Sequence, residues 1–388
     1  MKNEFYQIEE FTIDDIPILQ RQIKSISLFV NIDKLGIELD CIFNDMTDIK
    51  ATKPIKGGET VTLSLVDRYG KQFRKEYVLT SFEIIARNSL RDVDVDMKAI
   101  SKTAFDGISK KLNVSYFDKS VSDIVGEILP NATISSTDNK IQLVVPGWSV
   151  TKTIEHLSRI AYSNKYGGMF LCWEDFDSVN FKSLNEVLQT QKTINSYLTN
   201  NRNPYYRYNI VEHKELSTGN VTKTIGKGKF NRSYASYDPE TKTLITKDMK
   251  LADDGSKFNR LGKGQNFTND LMDAQDSIPV LVAHMDDATM NAKYENELAF
   301  FEYDKKMQVL VVGDFTHNPG TLINIDASSR YTQSDLDITM GGIWMIEKVA
   351  CHFVGQEFFQ KIQLTRNAAY DYSSMNSKIV NPKVTTTV

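Results

Sequence analysis

Apolar and polar residues alternate over much of this chain, and the alternation falls into short runs separated by Pro/Gly turns. The clearest set occupies 309–367. It opens with Val309-Leu310-Val311-Val312, turns at Pro319-Gly320, and continues through Leu322, Ile323 and Ile325. It closes with two longer runs around 342–354 and 357–366. Period two places Ile343, Met345, Val349, Cys351 and Phe353 on one face, and Phe358, Ile362 and Leu364 on one face of the next run. Proline presets φ and glycine allows the reversal, so Pro319-Gly320 is read as a turn. Gly355-Gln356 is read as a second. Four antiparallel strands are predicted, in a compact barrel or sandwich.

An echo lies near the N-terminus. Pro54 and Gly57-Gly58 precede a run through Val61, Leu63 and Leu65; a long strand through Phe82 and Ile84 follows, then a turn near Asn88, then Val93, Val95 and Met97. The order turn, strand, long strand, turn, strand therefore occurs twice, which predicts a duplicated β-domain.

Between these halves the period changes. Residues 1–22 read as a polar lead-in. Ile26, Leu28, Val30 and Ile32 then alternate, as do Ile37, Leu39, Cys41 and Phe43, with Asp33–Gly36 turning between them as a hairpin. Strands at 61–66, 72–80, 82–87 and 92–97 complete an antiparallel domain that ends near residue 112. Ser120, with Asp123 three residues on, starts a helix whose stripe is Val121, Ile124, Val125 and Ile128. Ser149 starts another with Val150, Ile154, Leu157 and Ala161. A buried strand at 169–173 follows Gly167-Gly168. The expected division is a first β-domain over 1–112, a mixed α/β domain over 113–203, a second β-domain over 204–245 with 306–370, and a loop and long helix over 246–305. Within the last, 252–277 is a polar surface loop and a helix runs over about 279–304 with Met285, Ala288, Ala292 and Ala299 on one stripe. Residues 371–388 form an extended tail too polar to build a core.

At 388 residues the chain exceeds one ordinary core. Its 41% hydrophobic and 25% charged residues fit a soluble globular protein, and the net charge of -4 disfavours wholesale binding to nucleic acid. No run approaches the ~20 apolar residues that cross a bilayer, and the start lacks the apolar segment of a signal peptide. Cys41, Cys172 and Cys351 lack CxxC spacing and fit reduced, buried thiols.

Candidate chemistry is sparse. Gly226-Lys227-Gly228-Lys229 and Gly262-Lys263-Gly264 lack the spacing of a phosphate loop and open no helix. His284, Asp286 and Asp287 lack a third metal ligand in HExxH or HxH spacing, and His156, His213, His317 and His352 stand isolated. Glu174, Asp175 and Asp177 cluster in one polar turn, a poor setting for a glycosidase carboxylate pair. No Gly-x-Ser-x-Gly elbow occurs. Residues 202–232 mix Arg202, Arg207, Lys214, Lys223, Lys227, Lys229 and Arg232 with Tyr205, Tyr206 and Tyr208. That mix suits a charged hairpin in a partner interface better than nucleic-acid stacking. The residues point to no catalytic, cofactor or metal site.

Three segments carry a resemblance: 93–129 with its Tyr116-Phe117-Asp118 link; Val145-Pro146-Gly147-Trp148 with its helix and the 169–173 strand; and the helix through Tyr294 with Val309–Phe315, Pro319-Gly320 and Thr365-Arg366-Asn367-Ala368. In this order the chain resembles the central baseplate hub proteins of contractile-tailed, T-even-type bacteriophages, a hub shared with type VI secretion spike proteins. The resemblance implies an α+β multidomain fold with two similar antiparallel tube-type β-barrels and mixed α/β insert domains that form a clamp. It also implies a structural virion protein without enzymatic activity, located in the tail baseplate and assembled in the host cytoplasm. A homotrimer would adapt a hexameric tail tube, or tube-initiator protein, above to a trimeric cell-puncturing spike below. It would contact other baseplate proteins, and DNA would meet it only in transit through the channel. A peripheral receptor- or glycan-binding baseplate protein is the alternative.

Overall fold

The computed structural model describes residues 5–46, 49, 53–89, 92–190, 193–199, 205–217, 232–238, 242–249, 278–282, 287–302, 305–327 and 340–366. The segment expected as a polar lead-in is strand β1 (Tyr6–Ile13), because Tyr6, Phe11 and Ile13 bury while Gln7 and Glu9 stay exposed. After β2 (Ile16–Pro17) come β3 (Ile23–Asn31), β4 (Glu38–Asn44), β5 (Thr60–Asp67), β6 (Gln72–Ser89) and β7 (Asp92–Ser101). Ile26, Leu28 and Val30 on β3 and Leu39, Cys41 and Phe43 on β4 are buried, as period two predicts. The two strands expected at 72–80 and 82–87 are one. An extra residue, Thr80, bulges out of β6, so Leu79 pairs with Ala99 but Ser81 with Lys98.

Past Ser101 the chain turns helical. Ser101 caps α1 (Lys102–Ser109), which the sequence reading had placed inside the first β-domain. Then follow β8 (Lys111–Ser120), α2 (Val121–Ile128), β9 (Ala132–Ile134), β10 (Lys140–Ser149), α3 (Val150–Ile160), β11 (Phe170–Glu174), β12 (Val179–Ser183) and α4 (Leu184–Thr190). Ser120 Oγ accepts the Asp123 N–H at 3.1 Å, and Ser149 Oγ accepts the Lys152 N–H at 3.2 Å, so both expected caps are present. The two stripes meet in a core of their own: Val121, Ile124 and Val125 of α2 join Ile154 and Leu157 of α3, Phe170 and Phe181.

The chain then returns to β-structure with β13 (Thr193–Leu198) and β14 (Ile210–Ser217). Next come β15 (Arg232–Asp238), β16 (Thr243–Met249), β17 (Ile278–Val282) and α5 (Asp287–Glu302), and last β18 (Lys305–Val312), β19 (Leu322–Asp326), β20 (Gly342–Val354) and β21 (Glu357–Arg366). Three expectations change here. Residues 232–245, expected in the second β-domain, form a separate sheet in the order β16-β15-β17. Residues 278–282, expected to begin a helix, are its third strand, parallel to β15; Ile278, Val280 and Val282 favour strand, and the helix starts only at Asp287. Residues 193–198, expected in the clamp, pair in parallel with β19.

The largest sheet has thirteen strands, in the order β14-β18-β21-β20-β3-β4-β7-β6-β5-β1-β2, with β19 and β13 branching from β20. Two five-stranded units sit within it. One runs β3-β4-β7-β6-β5 and the other β14-β18-β21-β20-β19, with the same sequence of connections. The likeness extends to single bonds. Gly58 N donates to Leu79 O at 2.8 Å and Leu79 N to Glu59 O at 2.9 Å; Gly320 N donates to Ile346 O at 2.8 Å and Ile346 N to Thr321 O at 2.9 Å. Both glycines have positive φ, +96° and +84°, which a side chain would strain. Immediately after Leu79 and Ile346, β6 and β20 each carry a bulge, at Thr80 and at Glu347.

The Glu347 bulge also corrects the expected face of β20. Two residues stand opposite one at that point, so the alternation changes phase. Trp344, Ile346, Val349, Cys351 and Phe353 share the main core, while Ile343 is only half-buried and Met345 lies outside that cluster. Phe358, Ile362 and Leu364 face the core as expected. That core is continuous. Phe73 stacks on Phe315 at 5.2 Å, Phe176 meets both edge-on, and Phe315 continues to Phe353 and Phe358. The thirteen-stranded sheet therefore lies over one continuous core, and in its second unit a single bridge joins Leu198 of β13 to Asn209, just before β14.

Candidate functional site

Alternation gives the large sheet a polar face opposite its core. Val312, Phe359, His352, Ser27, Asp40, Lys98 and Ser81 form one continuous row across both units. The next row runs Leu310, Lys361, Ala350, Phe29, Glu38 and Ile100. A third holds Ser25, Ile42, Asp96 and Glu83. Charges of both signs are thus interleaved. Burial, with Asp96 and Glu38 nearby, raises the Asp40 carboxyl pKa against the pull of Lys98. Burial and Lys361 lower that of His352, whose Nδ1 lies 3.1 Å from Ser27 Oγ. Both shifts favour the neutral side chain. Among the described residues this face presents no continuous positive row to a polyanion.

The sheet also leaves two stretches of edge without a strand partner among the described residues. One is β14, beyond β18; the other is the far half of β6 from Glu83 onward, where β5 has already ended its pairing at Val78. Apolar side chains accompany them: Ile84 is 38% exposed, Ile85 52% and Leu216 43%. Long exposed edges are ready templates for another strand.

The acidic turn after β11 is structural in its contacts. Glu174 pairs with Lys75 at 2.8 Å and accepts the Ser101 and Thr103 hydroxyls. Asp175 accepts the backbone N–H groups of Asp177 and Ser178 and the Asn180 amide. Asp177 receives Lys71 and Asn318. The three carboxylates do not converge on a common space; they tie the first unit, the β11–β12 turn and the β18–β19 loop together.

A second polar cluster escaped the sequence reading. His317, read there as isolated, is fully buried between Tyr197 and Gln360. Gln360 Oε1 can only accept, so His317 Nδ1 carries the proton and Nε2 accepts the Tyr197 hydroxyl. Gln360 Nε2 in turn donates to Asp314 O at 3.1 Å and Cys351 Sγ at 3.2 Å. Asp314 pairs with Arg207 at 2.7 Å, and that guanidinium lies 3.9 Å from the Tyr69 ring centre. Burial lowers the His317 pKa despite the nearby Asp314. The signal was Gly313-Asp314-Phe315-Thr316-His317 with Arg207, but the two lie about a hundred residues apart and only the fold joins them.

A groove of about 900 Å³ runs between the β3–β4 turn, α1 and α3, lined by Leu35, Ile37, Ala104, Ile108 and Ile154 with Lys293 at its margin. The β8–β10 ribbon exposes Phe117 and Val144 strongly. Burial raises the Cys172 and Cys351 thiols to about 12, and all three cysteines are free and buried. His156 packs on Trp148, and His213 lies exposed on β14. His284, Asp286, Met285, both glycine-lysine runs, 252–277 and the tail after 366 lie outside the described residues, as do Arg202, Lys223, Lys227 and Lys229; Asp287 is the first residue of α5. Among the described residues no three His, Cys, Asp or Glu side chains group as a metal site, and no helix is long and apolar enough to cross a membrane.

No protein-family model matches the sequence, and no curated protein is detectably similar to it. Solved structures are similar in fold. A tail protein from Neisseria meningitidis MC58 has a TM-score of 0.60 at 9% identity, covering 94% of this chain and 99% of that one. The 43 kDa tail protein of prophage MuSo2 from Shewanella oneidensis has 0.57 at 10%, covering 93% and 98%. A chain of the Francisella PdpA-VgrG complex has 0.50 at 11%, covering 95% of this chain and 59% of that one. The chain has the fold of these structures, α+β and mostly antiparallel.

Proposed function

We propose that the chain is a structural phage tail protein, the central hub of a baseplate, in which three copies adapt a sixfold tail tube to a threefold spike. One observation carries this reading: the repeat of the five-strand order, down to the Gly58 and Gly320 turns and the Thr80 and Glu347 bulges. Two equivalent units per chain give six in a trimer, which matches a hexameric tube without a second gene product. The two units would act as tube-type barrel elements closed by neighbouring copies rather than each on itself. The α/β clamp, with its groove and the exposed Phe117 and Val144, would grip the spike and other baseplate proteins. The likeness to structures named as tail proteins supports placement in the virion tail, and the chain would be assembled there from the host cytoplasm. Catalysis has no place in this role, and the contacts of Glu174, Asp175 and Asp177 fit that. A peripheral receptor-binding protein would need no internal repeat.

Co-expression with the spike protein tests the reading. The expected complex holds three copies per spike trimer by light scattering, and cryo-electron microscopy of it shows six similar β-units around an open axis. A chain that stays single beside its spike overturns the proposal.

A further inference from the structure

Inside the chain the two units are joined by β3 and β20, which pair antiparallel from Asn31 opposite Lys348 to Ser25 opposite Val354. The repeat makes β14 the equivalent of β3, and β6 the equivalent of β20. The two stretches of free edge are therefore the two halves of a second, unused copy of this joint. We propose that β14 of one copy pairs with the far half of β6 of the next copy, with Glu215 opposite Ile84 and Ser217 opposite Glu83. The number of copies, three, rests on the hub reading; the pairing and its register rest on the repeat.

The register follows residue by residue. Phe82 stands opposite Met97 and Val349 opposite Ile362, each three residues past the hydrogen-bonded Leu79 or Ile346. Glu83 and Ile84 therefore correspond to Ala350 and Cys351. On the other side, Met97 and Ile362 face Cys41 and Val309, which aligns β4 with β18. Leu28 faces Leu39, and Glu215 faces Met307; Phe29 faces Glu38, and Ser217 faces Lys306. Leu28 and Phe29 thus correspond to Glu215 and Ser217. Since Cys351 stands opposite Leu28 and Ala350 opposite Phe29 within the chain, the transferred pairs are Ile84 with Glu215 and Glu83 with Ser217.

Burial separates the two copies of the joint. Where it is formed, Ile26, Leu28, Cys351 and Phe353 are fully buried. Where it is open, Ile84, Ile85 and Leu216 remain exposed on strand edges that have no partner among the described residues. Added strand pairing would satisfy that backbone, as in strand-addition complexes. One chain carries both kinds of edge, so the contact is head-to-tail and closes into a ring when the rotation permits.

Directly opposite residues of an antiparallel pair place their Cβ atoms about 4.5–5.5 Å apart, close to the separation a disulfide needs. The double variant Ile84→Cys/Glu215→Cys should therefore, under mild oxidation of the concentrated full-length protein, give a reducible ladder that ends at three chains. Glu83→Cys/Ser217→Cys provides a second in-register pair if the first misfolds, with circular dichroism reporting the fold. Either single variant, and the shifted pair Ile84→Cys/His213→Cys, should give none. A shifted pair that links as well as the in-register pairs overturns the register. Three chains by light scattering with neither in-register pair linked overturns this pairing and leaves the hub reading standing. A single chain at every concentration, with no link and no association with the spike, overturns both.

Discussion

Asp314 is nearly fully buried, and burial alone would raise its carboxyl pKa. The nearby His317, the Thr316 hydroxyl and N–H, and the Arg207 guanidinium outweigh that and hold it below the ordinary carboxylate value. A depressed folded-state pKa contributes stability that is complete above the unfolded value of about 4 and is lost as pH falls through the folded one. Asp314→Asn keeps the shape and removes the charge. Because the Arg207 side chain is 33% exposed, the expected loss is roughly 2 kcal/mol, below the ~3–5 kcal/mol of a fully buried pair. Calorimetry should find the variant's melting temperature lowered near neutral pH, with the gap to the parent narrowing below about pH 4. A gap that does not change with pH would assign the loss to packing instead of charge.

At the scale of elements, the bulges decide which face of a strand becomes core. Deleting Glu347 alone would leave Lys348 opposite Gln363 and Val349 opposite Ile362 and keep the core face, whereas deleting Glu347 and Lys348 together would bring Ala350, His352 and Val354 to positions now held by Val349, Cys351 and Phe353. One-residue slips exchange the two faces of a strand. The double deletion should leave the protein insoluble or without a cooperative melting transition. Glu347→Ala keeps the count and loses only partly exposed contacts to Lys306 and Gln363, for about 1 kcal/mol or less. Similar melting curves for the double deletion and Glu347→Ala would show that the phase of the alternation does not set the core face.

For the whole molecule, the polar face matters most. In the proposed ring this face is the one that passing DNA would meet, and its rows alternate Lys98, Lys348 and Lys361 with Asp40, Asp96, Glu38 and Glu83. Phosphate binding depends on released counterions and needs clustered cations. The purified assembly should therefore show no measurable shift of duplex DNA at about 0.15 M salt, where charges beyond ~8 Å are screened. Tight, salt-dependent retention of DNA would mean that the face has another role.

The sequence alone determined what depends on near neighbours along the chain. Period two identified the β3–β4 hairpin and the runs that became β18–β21, while Ser120 and Ser149 marked their helices, because alternation and capping act within a few residues. The echo of the Gly57-Gly58 and Pro319-Gly320 turns was legible for the same reason. Where the pattern was short or interrupted, the tertiary structure decided. It made 6–13 and 278–282 strands, moved 232–245 to a separate sheet, and shifted the face of β20 at Glu347. The first two depend on partner strands about fifty residues or more away, β5 for β1 and β15 for β17, while the bulge depends on its register against β21, the next strand of the hairpin. The Asp314–Arg207 pair, the placement of Glu174 against Lys75, and the joining of two expected β-domains in one sheet have the same cause. Burial and strand pairing join residues a hundred or more positions apart, and local periodicity carries no record of which ones.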